Sequence, residues 1–224
     1  MNTTPIYDIT PFTALDYPEH LASIFWFAGC NMRCPYCYNP DIVLGEGKLS
    51  IEDALGFLQS RRGLIEGVVL SGGEATQYAE LPAFVKQVRA LGFKIKLDTN
   101  GADPQMLYTL MQEKLLDYVA LDYKAPKQKF QEITRNKHFD AFSTSLNLLI
   151  QSPMTFEVRT TVCSDLLSEE DINRIIVDLY RRGYAGTYYL QTYIADTPHL
   201  GRMKQQKHRF DKSKLSDRLA VVWR

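Results

Sequence analysis

The chain alternates short apolar runs with longer segments in which apolar residues recur at helical spacing. Short apolar runs bounded by polar or glycine-containing segments predict buried β-strands. The predicted strands cover residues 21–27, 67–70, 93–97, 118–121, 155–162 and 187–192. Each strand is followed by a polar segment and then by a helix signal.

Capping and stop signals place the helices between these strands. Ser50 and Ser168 each stand three residues before an aspartate, as in a capping box. Asp103 and Pro104 suit the N-cap and first position of a helix, and Gly92 suits a helix end. Helices are predicted at about 51–61, 81–91, from 104, after 124, at 142–151 and at 169–182.

Strands that alternate with helices predict a parallel sheet with right-handed crossover connections. A closed barrel of eight such units takes about 250 residues, more than this chain has. We therefore predict an α/β fold, an incomplete, laterally open (β/α)6 TIM-like barrel in one domain over residues 1–224. Its parts are an N-terminal extension (1–20), a barrel core (21–193) and a polar tail (194–224). The apolar end of the tail, residues 219–223, predicts a closing strand or an edge contact.

Composition narrows the class of protein. The chain has 224 residues, 45% hydrophobic and 23% charged, which is ample for a globular core. Its 26 basic and 26 acidic side chains cancel, which argues against general nucleic-acid binding. No apolar stretch approaches the roughly 20 residues of a membrane span, and residues 1–10 lack the features of a secretory signal. These features, with reduced thiols, favour the cytoplasm.

Three cysteines follow the first strand with the spacing Cys-x3-Cys-x2-Cys: Cys30, Cys34 and Cys37. Thiolates so close together can hold one inorganic centre. Three ligands on a four-iron cluster leave one iron open to a substrate or cofactor. A zinc site would need a fourth ligand, but Cys163 lies far along the chain and is better explained as an inert core thiol. A disulfide would leave one of the three cysteines unpaired.

Polar residues gather where the predicted strands end, and ligands of parallel sheets collect at that edge. Gly72 and Gly73 allow the main chain to approach a ligand closely, and Glu74 accepts hydrogen bonds. A plain turn is the alternative.

Two further strands end in carboxylates, Asp98 and Asp122. If both face one cavity they repel each other unless a positive charge intervenes, either Lys124 or a bound monovalent cation. The segment Asp98–Gly101 also suits an ordinary turn.

Strand alternation places Arg159 on the face opposite Val158. Turned inward, it would pair with Glu157 or with a ligand carboxylate; turned outward, it would be solvated. Gln191 and Tyr193 point one way and are candidates for a substrate mouth. The four histidines match no metal spacing, and His199, which follows the last predicted strand, is the strongest exception.

These motifs together resemble the radical S-adenosylmethionine (SAM) superfamily, and within it the activating enzymes of glycyl radical enzymes. Residues 71–75, 97–101 and 121–124 resemble both the pyruvate formate-lyase activating enzymes and the activating proteins of anaerobic ribonucleoside-triphosphate reductase. Residues 8–18 are similar to the opening of the second group. The likeness extends over about residues 8–193.

The resemblance implies a role for each matching residue. Cys30, Cys34 and Cys37 would ligate a [4Fe-4S] cluster, with Tyr36 near the adenine of SAM. Gly72, Gly73 and Glu74 would hold the amino end of SAM, and Lys124 and Arg159 its ribose or carboxylate. Asp98, Thr99 and Asp122, with the Ala120 carbonyl, resemble a site for Na⁺ or K⁺, and Asn100 belongs to the same cofactor-binding segment.

The chain departs from the pattern at two residues. Tyr38 stands where the family commonly has histidine, and Cys163 stands where related chains often have an aliphatic residue. No cysteines are present for an added ferredoxin-like segment. These departures concern the choice of partner rather than the SAM chemistry.

The implied activity is reductive cleavage of SAM to a 5′-deoxyadenosyl radical, which takes hydrogen from a glycine of a partner glycyl radical enzyme. A flavodoxin or ferredoxin would supply the electron. The alternatives are a radical SAM enzyme acting on a deazaguanine-type heterocycle, a peptide or a tRNA, and a non-enzymatic iron–sulfur electron carrier.

Overall fold

The six predicted strands are all present in the computed structural model, which describes residues 4–203 and 205–224. They are β2 (Ala22–Phe27), β3 (Gly67–Gly72), β4 (Lys94–Thr99), β5 (Tyr118–Asp122), β6 (Phe156–Val162) and β7 (Tyr188–Thr192). Two further strands are β1 (Ile6–Thr13) and β8 (Val221–Trp223). β8 pairs in parallel with β7, which confirms that the apolar end of the tail adds an edge strand.

The helices agree with the capping signals. They are α1 (Pro40–Leu44), α2 (Ile51–Arg61), α3 (Leu81–Ala90), α4 (Pro104–Gln112), α5 (Lys127–Thr134), α6 (Phe139–Ile150) and α7 (Glu169–Arg181). Ser50 and Ser168 form complete capping boxes at α2 and α7. Asp103 caps α4, with Pro104 as its first residue. The short helix α1 was not predicted.

Parallel pairing dominates the sheet. β2 pairs in parallel with β3 and β3 with β4, and β6 pairs in parallel with β7. Strand order follows chain order, and the sheet is open. This confirms the predicted α/β class.

The exception is β1, which pairs antiparallel with β2 through partners such as Ile6 and Phe27. These residues belong to the predicted N-terminal extension (1–20), for which the sequence predicted no strand. Most side chains of β1 are at least partly exposed, and only Ile6 and Thr13 are buried. Because the strand contributes little to the core, it lacks the apolar run that marked the others. Residues 1–3 of the predicted extension and residue 204 of the predicted tail lie outside the described residues.

The described residues form two compact units. The first comprises 4–31, 41–99 and 103–119, and the second comprises 32–40, 100–102, 120–203 and 205–224. The prediction of one domain stays a prediction.

Each unit has its own buried core. In the first, Phe84 packs its ring against Phe25 and Phe27. In the second, Phe142 packs against Tyr123 and Phe130. No helix within 4–203 or 205–224 combines the length and apolar character needed to cross a bilayer.

Candidate functional site

In the first unit, the Gly72–Gly73–Glu74 turn lies directly against the segment that leads to Cys30. The Gly73 amide donates to the Phe27 carbonyl at 2.8 Å, and the Glu74 amide donates to the Gly29 carbonyl at 2.9 Å. A Cβ on Gly73 would stand 1.8 Å from the Gly29 oxygen. Glycine is therefore required here for backbone contact with the chain just before the first cysteine.

Gly72 is constrained in a second way. Its φ is +117°, and a Cβ would stand 2.4 Å from both the nitrogen and the oxygen of Phe27. Any residue other than glycine is therefore excluded at this position, because its backbone would be strained and its Cβ would clash with Phe27. The close approach that we predicted for a ligand is thus first of all an approach between two main-chain segments.

The Glu74 carboxylate is buried, with 3% of the residue exposed. Its Oε1 accepts hydrogen bonds from the Thr99 hydroxyl at 2.8 Å, the Thr76 hydroxyl at 2.7 Å and the Thr76 amide at 3.2 Å. A buried charge is tolerated when such donors surround it. The orientation of Glu74 is therefore fixed, and the Thr99 hydroxyl serves this carboxylate.

Asp98 is paired with Lys96, which the sequence did not predict as a site residue. Lys96 is only 2% exposed, and its Nζ lies 2.5 Å from Asp98 Oδ1. The Ser71 hydroxyl donates to Asp98 Oδ2 at 3.1 Å. Strand alternation was the available signal, because it puts residues 96 and 98 on one face of β4. Lys96 supplies the positive charge beside Asp98 that we had expected from Lys124 or a cation.

In the second unit, Cys34 and Tyr36 are buried while Cys37 is partly exposed. All four cysteines are free thiols, so no disulfide forms. The Cys37 amide donates to the Cys34 carbonyl at 3.0 Å, which closes a turn between the two cysteines. The Arg33 amide donates to the carbonyl of Thr134, at the end of α5, at 2.8 Å.

Burial is the largest cause of the pKa shifts in this turn. It raises the pKa of the Cys34 thiol to about 11, although the nearby ammonium of Lys124 acts to lower it. Burial also raises the pKa of Tyr36 well above its ordinary value. The Tyr36 hydroxyl lies beside the Cys34 thiol, and the hydrogen bond between the two side chains contributes to both pKa shifts.

A three-membered charge cluster joins the end of β5, where Asp122 and Lys124 lie, to Arg159 in the middle of β6. Asp122 accepts from Lys124 Nζ at 2.9 Å and from Arg159 Nε at 2.5 Å. These side chains are only 14% to 21% exposed. Burial acts to raise the pKa of Asp122, but Arg159 and Lys124 hold it well below its usual range. Arg159 therefore points inward, which is one of the two orientations that the sequence left open.

Asp122 is a partner of Arg159 that the sequence did not predict, and pairing of Arg159 with a ligand carboxylate stays a prediction. Glu157 is instead paired with Arg224, at 3.0 and 3.2 Å between their oxygen and nitrogen atoms. Tyr38 lies within electrostatic reach of this cluster; burial raises its pKa, and Arg159 acts to lower it.

The remaining predicted residues have structural contacts. Asn100 Oδ1 accepts from the Ala102 amide at 2.9 Å, the turn that we gave as the alternative for this segment. Tyr193 stacks on His199 with ring centroids 4.8 Å apart. Cys163 is fully buried, and its thiol lies 3.0 Å from Gln206 Oε1. Across the described parts of the chain, no three His, Cys, Asp or Glu side chains converge as a ready metal site.

The raised pKa of Cys34 predicts slow alkylation of the metal-free protein. At about pH 8 its reaction with iodoacetamide should lag far behind that of the urea-unfolded chain, and it should rise about tenfold per pH unit toward pH 11, because only the thiolate reacts. Lys124→Met should slow the reaction further, since the ammonium favours the thiolate. Peptide mass spectrometry measures the rates, and equal folded and unfolded rates at pH 8 would contradict the prediction.

An open, mostly parallel α/β fold with a three-cysteine loop defines a class of iron–sulfur protein, and comparison with known proteins specifies it. The model of the radical SAM superfamily matches residues 24–179. The chain therefore belongs to the radical SAM superfamily. A [4Fe-4S] cluster and SAM are typical of its members.

The chain is similar to proteins that carry different names. A Methanocaldococcus jannaschii protein with the provisional name glycyl-radical enzyme activating enzyme is 29% identical over 174 residues, 75% of this chain and 72% of that protein. The Escherichia coli pyruvate formate-lyase 1-activating enzyme is 32% identical over 120 residues, 50% of this chain and 48% of the enzyme. The 7-carboxy-7-deazaguanine synthase of Aquifex aeolicus is 31% identical over 74 residues, 33% of each chain.

Solved structures show the same fold. Streptococcus suis SuiB, in a crystal structure with bound S-adenosylmethionine, superposes with a TM-score of 0.66 at 13% identity. The match covers 90% of this chain but only 51% of SuiB. The present chain thus spans about half of that structure and of the Escherichia coli enzyme.

Proposed function

We propose that this protein is a glycyl radical enzyme activating enzyme. The observation that carries the proposal is the cysteine triplet at residues 30–37 within a superfamily match, together with the M. jannaschii relative that extends over 75% of the chain. Cys30, Cys34 and Cys37 would hold a [4Fe-4S] cluster, which would pass one electron from a flavodoxin or ferredoxin to SAM for its reductive cleavage to methionine and a 5′-deoxyadenosyl radical. That radical would take one hydrogen atom from a glycine Cα of the partner, which would leave 5′-deoxyadenosine and a glycyl radical.

The residues of the cysteine loop suit such a cluster. Cys30, Cys34 and Cys37 offer three soft sulfur ligands within eight residues. Burial keeps Cys34 a neutral thiol in the metal-free protein, and coordination to iron would compensate the desolvated thiolate. The ammonium of Lys124 acts in the same direction.

Each of the two units holds charged residues that suit a group of SAM. Glu74, held by Thr76 and Thr99, presents an oriented negative charge for the ammonium group. Arg159 and Lys124 present positive charge for the carboxylate, and Asp122 orients both of them. Gly72 and Gly73 carry Glu74 to the end of β3, and Tyr36 would border the adenine.

A Na⁺ or K⁺ ion at Asp98, Thr99 and Asp122 has weaker support. Lys96 already neutralises Asp98, and Lys124 with Arg159 already neutralises Asp122. Asp98 and Asp122 therefore do not need an added cation to balance their negative charges.

The likeness to a deazaguanine synthase favours one second candidate, an enzyme of the same radical chemistry that acts on a heterocyclic small molecule. It covers only a third of the chain, whereas the likeness to the M. jannaschii protein covers three quarters. We propose that either reaction takes place in the cytoplasm.

Transfer of deuterium tests the proposal. A candidate partner, such as a glycyl radical enzyme encoded beside this gene, is produced with glycine deuterated at Cα and incubated anaerobically with the reconstituted protein, SAM and reductant. The 5′-deoxyadenosine should gain one deuterium, and partner made with ordinary glycine should give none. Unlabelled 5′-deoxyadenosine formed in the presence of the labelled partner would indicate another substrate.

A further inference from the structure

A segment after β7 is joined by its backbone to the cysteine loop. Residues 199–203 and 205–211, here called the strap, lie in the same unit as Cys34 and Cys37. The Leu200 amide donates to the Cys37 carbonyl at 2.9 Å, and the Gly201 amide donates to the Pro35 carbonyl at 2.9 Å. The strap therefore holds the end of the cysteine loop that includes the third cysteine.

Contact between the strap and the loop depends on a glycine. A Cβ on Gly201 would stand 2.6 Å from Pro35 Cβ and 2.8 Å from Pro35 Cα. Contacts that short do not persist, and the Pro35 backbone has little freedom to move away because its φ is fixed. Even an alanine at position 201 must lift the strap from the loop.

The other end of the strap is anchored on the loop between β6 and α7. The Asp165 carboxylate accepts from the amides of Lys207, at 3.0 Å, and His208, at 2.9 Å. Glu169 accepts from the Asp211 amide at 2.7 Å and lies 3.0 Å from His208 Nε2. These bonds fix the strap independently of the cysteine loop.

We propose that the strap positions Cys37 for metal binding and slows both solvent access to this cysteine and the loss of iron. The inference rests on the proposed function for its iron-dependent part. Cys34 is already buried, but Cys37 is partly exposed, so its geometry depends more on what pairs with its backbone. Loss of two backbone hydrogen bonds should make the opened state of the loop about tenfold more populated.

Gly201→Ala tests the contact directly, with Gly56→Ala as the control. Gly56 lies in α2, and a Cβ there would meet nothing within 4 Å. In the metal-free protein, G201A should raise the alkylation rate of Cys37 about tenfold, while the rate at Cys30 stays within twofold. In the reconstituted protein, the visible absorbance should bleach about tenfold faster with an iron chelator. G56A should behave as wild type in both assays.

Asp165→Ala tests the same inference from the other end, without a steric clash. Its control is Asp217→Ala, because Asp217 is exposed and makes no hydrogen bond or ion pair within the described chain. D165A should speed both reactions about threefold, with the unfolding midpoint close to that of D217A. If both G201A and D165A showed wild-type rates of Cys37 alkylation and of bleaching by the chelator, the proposed role of the strap would be wrong. If the wild-type protein took up no iron, the proposed function would fail, and the alkylation rates would still decide the role of the strap.

Discussion

Replacing Cys34 with alanine is expected to abolish formation of 5′-deoxyadenosine in the reconstituted, reduced protein. Residues that only support a metal ligand cost about 10- to 100-fold when removed, so loss of a proposed direct ligand should exceed about a thousandfold. Chromatography of the nucleoside after anaerobic incubation with SAM measures this. The same substitution should reduce bound iron and visible absorbance.

The matched control is Cys163→Ala. Cys163 is a buried thiol in the same unit, and its contacts are with Gln206 and the loop after β6. Its loss should reduce stability modestly and leave 5′-deoxyadenosine formation within about threefold of wild type. Equal losses in the two variants would show that the effect reports folding, and activity in C34A would exclude Cys34 as a ligand.

Replacing Asp122 with asparagine is expected to reduce the free energy of unfolding by about 2 kcal/mol and the melting temperature by about 4–8 °C. The substitution removes the carboxylate shared by Lys124 and Arg159, and the two cations then face each other with little solvent to screen them. Differential scanning calorimetry of the metal-free protein measures the change.

Asp140→Asn provides the comparison for this substitution. Asp140 pairs with Lys127, but the two side chains are 90% and 67% exposed, so the loss should stay below about 0.5 kcal/mol. A similar loss in both variants would mean that burial does not strengthen the Asp122 cluster.

The dependence on pH follows from the lowered pKa of Asp122. Because the folded protein holds this pKa below its usual value, the stabilisation is complete above about pH 4 and is lost as the pH falls below it. Wild type should therefore lose more stability than D122N on acidification.

Local sequence patterns were sufficient to predict most of the strands and helices but not β1 or α1. Apolar runs marked six strands, and the capping boxes of Ser50 and Ser168 marked the starts of two helices. These signals depend only on residues that are close in the sequence, so they can be recognised without knowledge of the fold. β1 was missed because its partner β2, rather than its own composition, makes it a strand.

Sequence patterns named candidate site residues but not their pairing, and the roles of these residues toward SAM stay predictions. Glu74 and Asp122 were named from their places at strand ends and Arg159 from strand alternation, but neither the Asp122 partner of Arg159 nor Lys96 was predicted. A lysine within a strand is usually exposed, and only its position two residues before Asp98 hinted otherwise. The strap was not predicted either, because its contacts with Cys37 are between backbone atoms and leave no pattern in the sequence.

Electron paramagnetic resonance of the partner enzyme tests the central claim most directly. The reduced, reconstituted protein is mixed anaerobically with SAM and the candidate glycyl radical enzyme, and C34A is treated in parallel. The account predicts a glycyl radical doublet on the partner with the wild-type protein, collapsed to a singlet when the glycine Cα is deuterated, and no signal with C34A. Turnover of SAM with no protein radical on any candidate partner would contradict it.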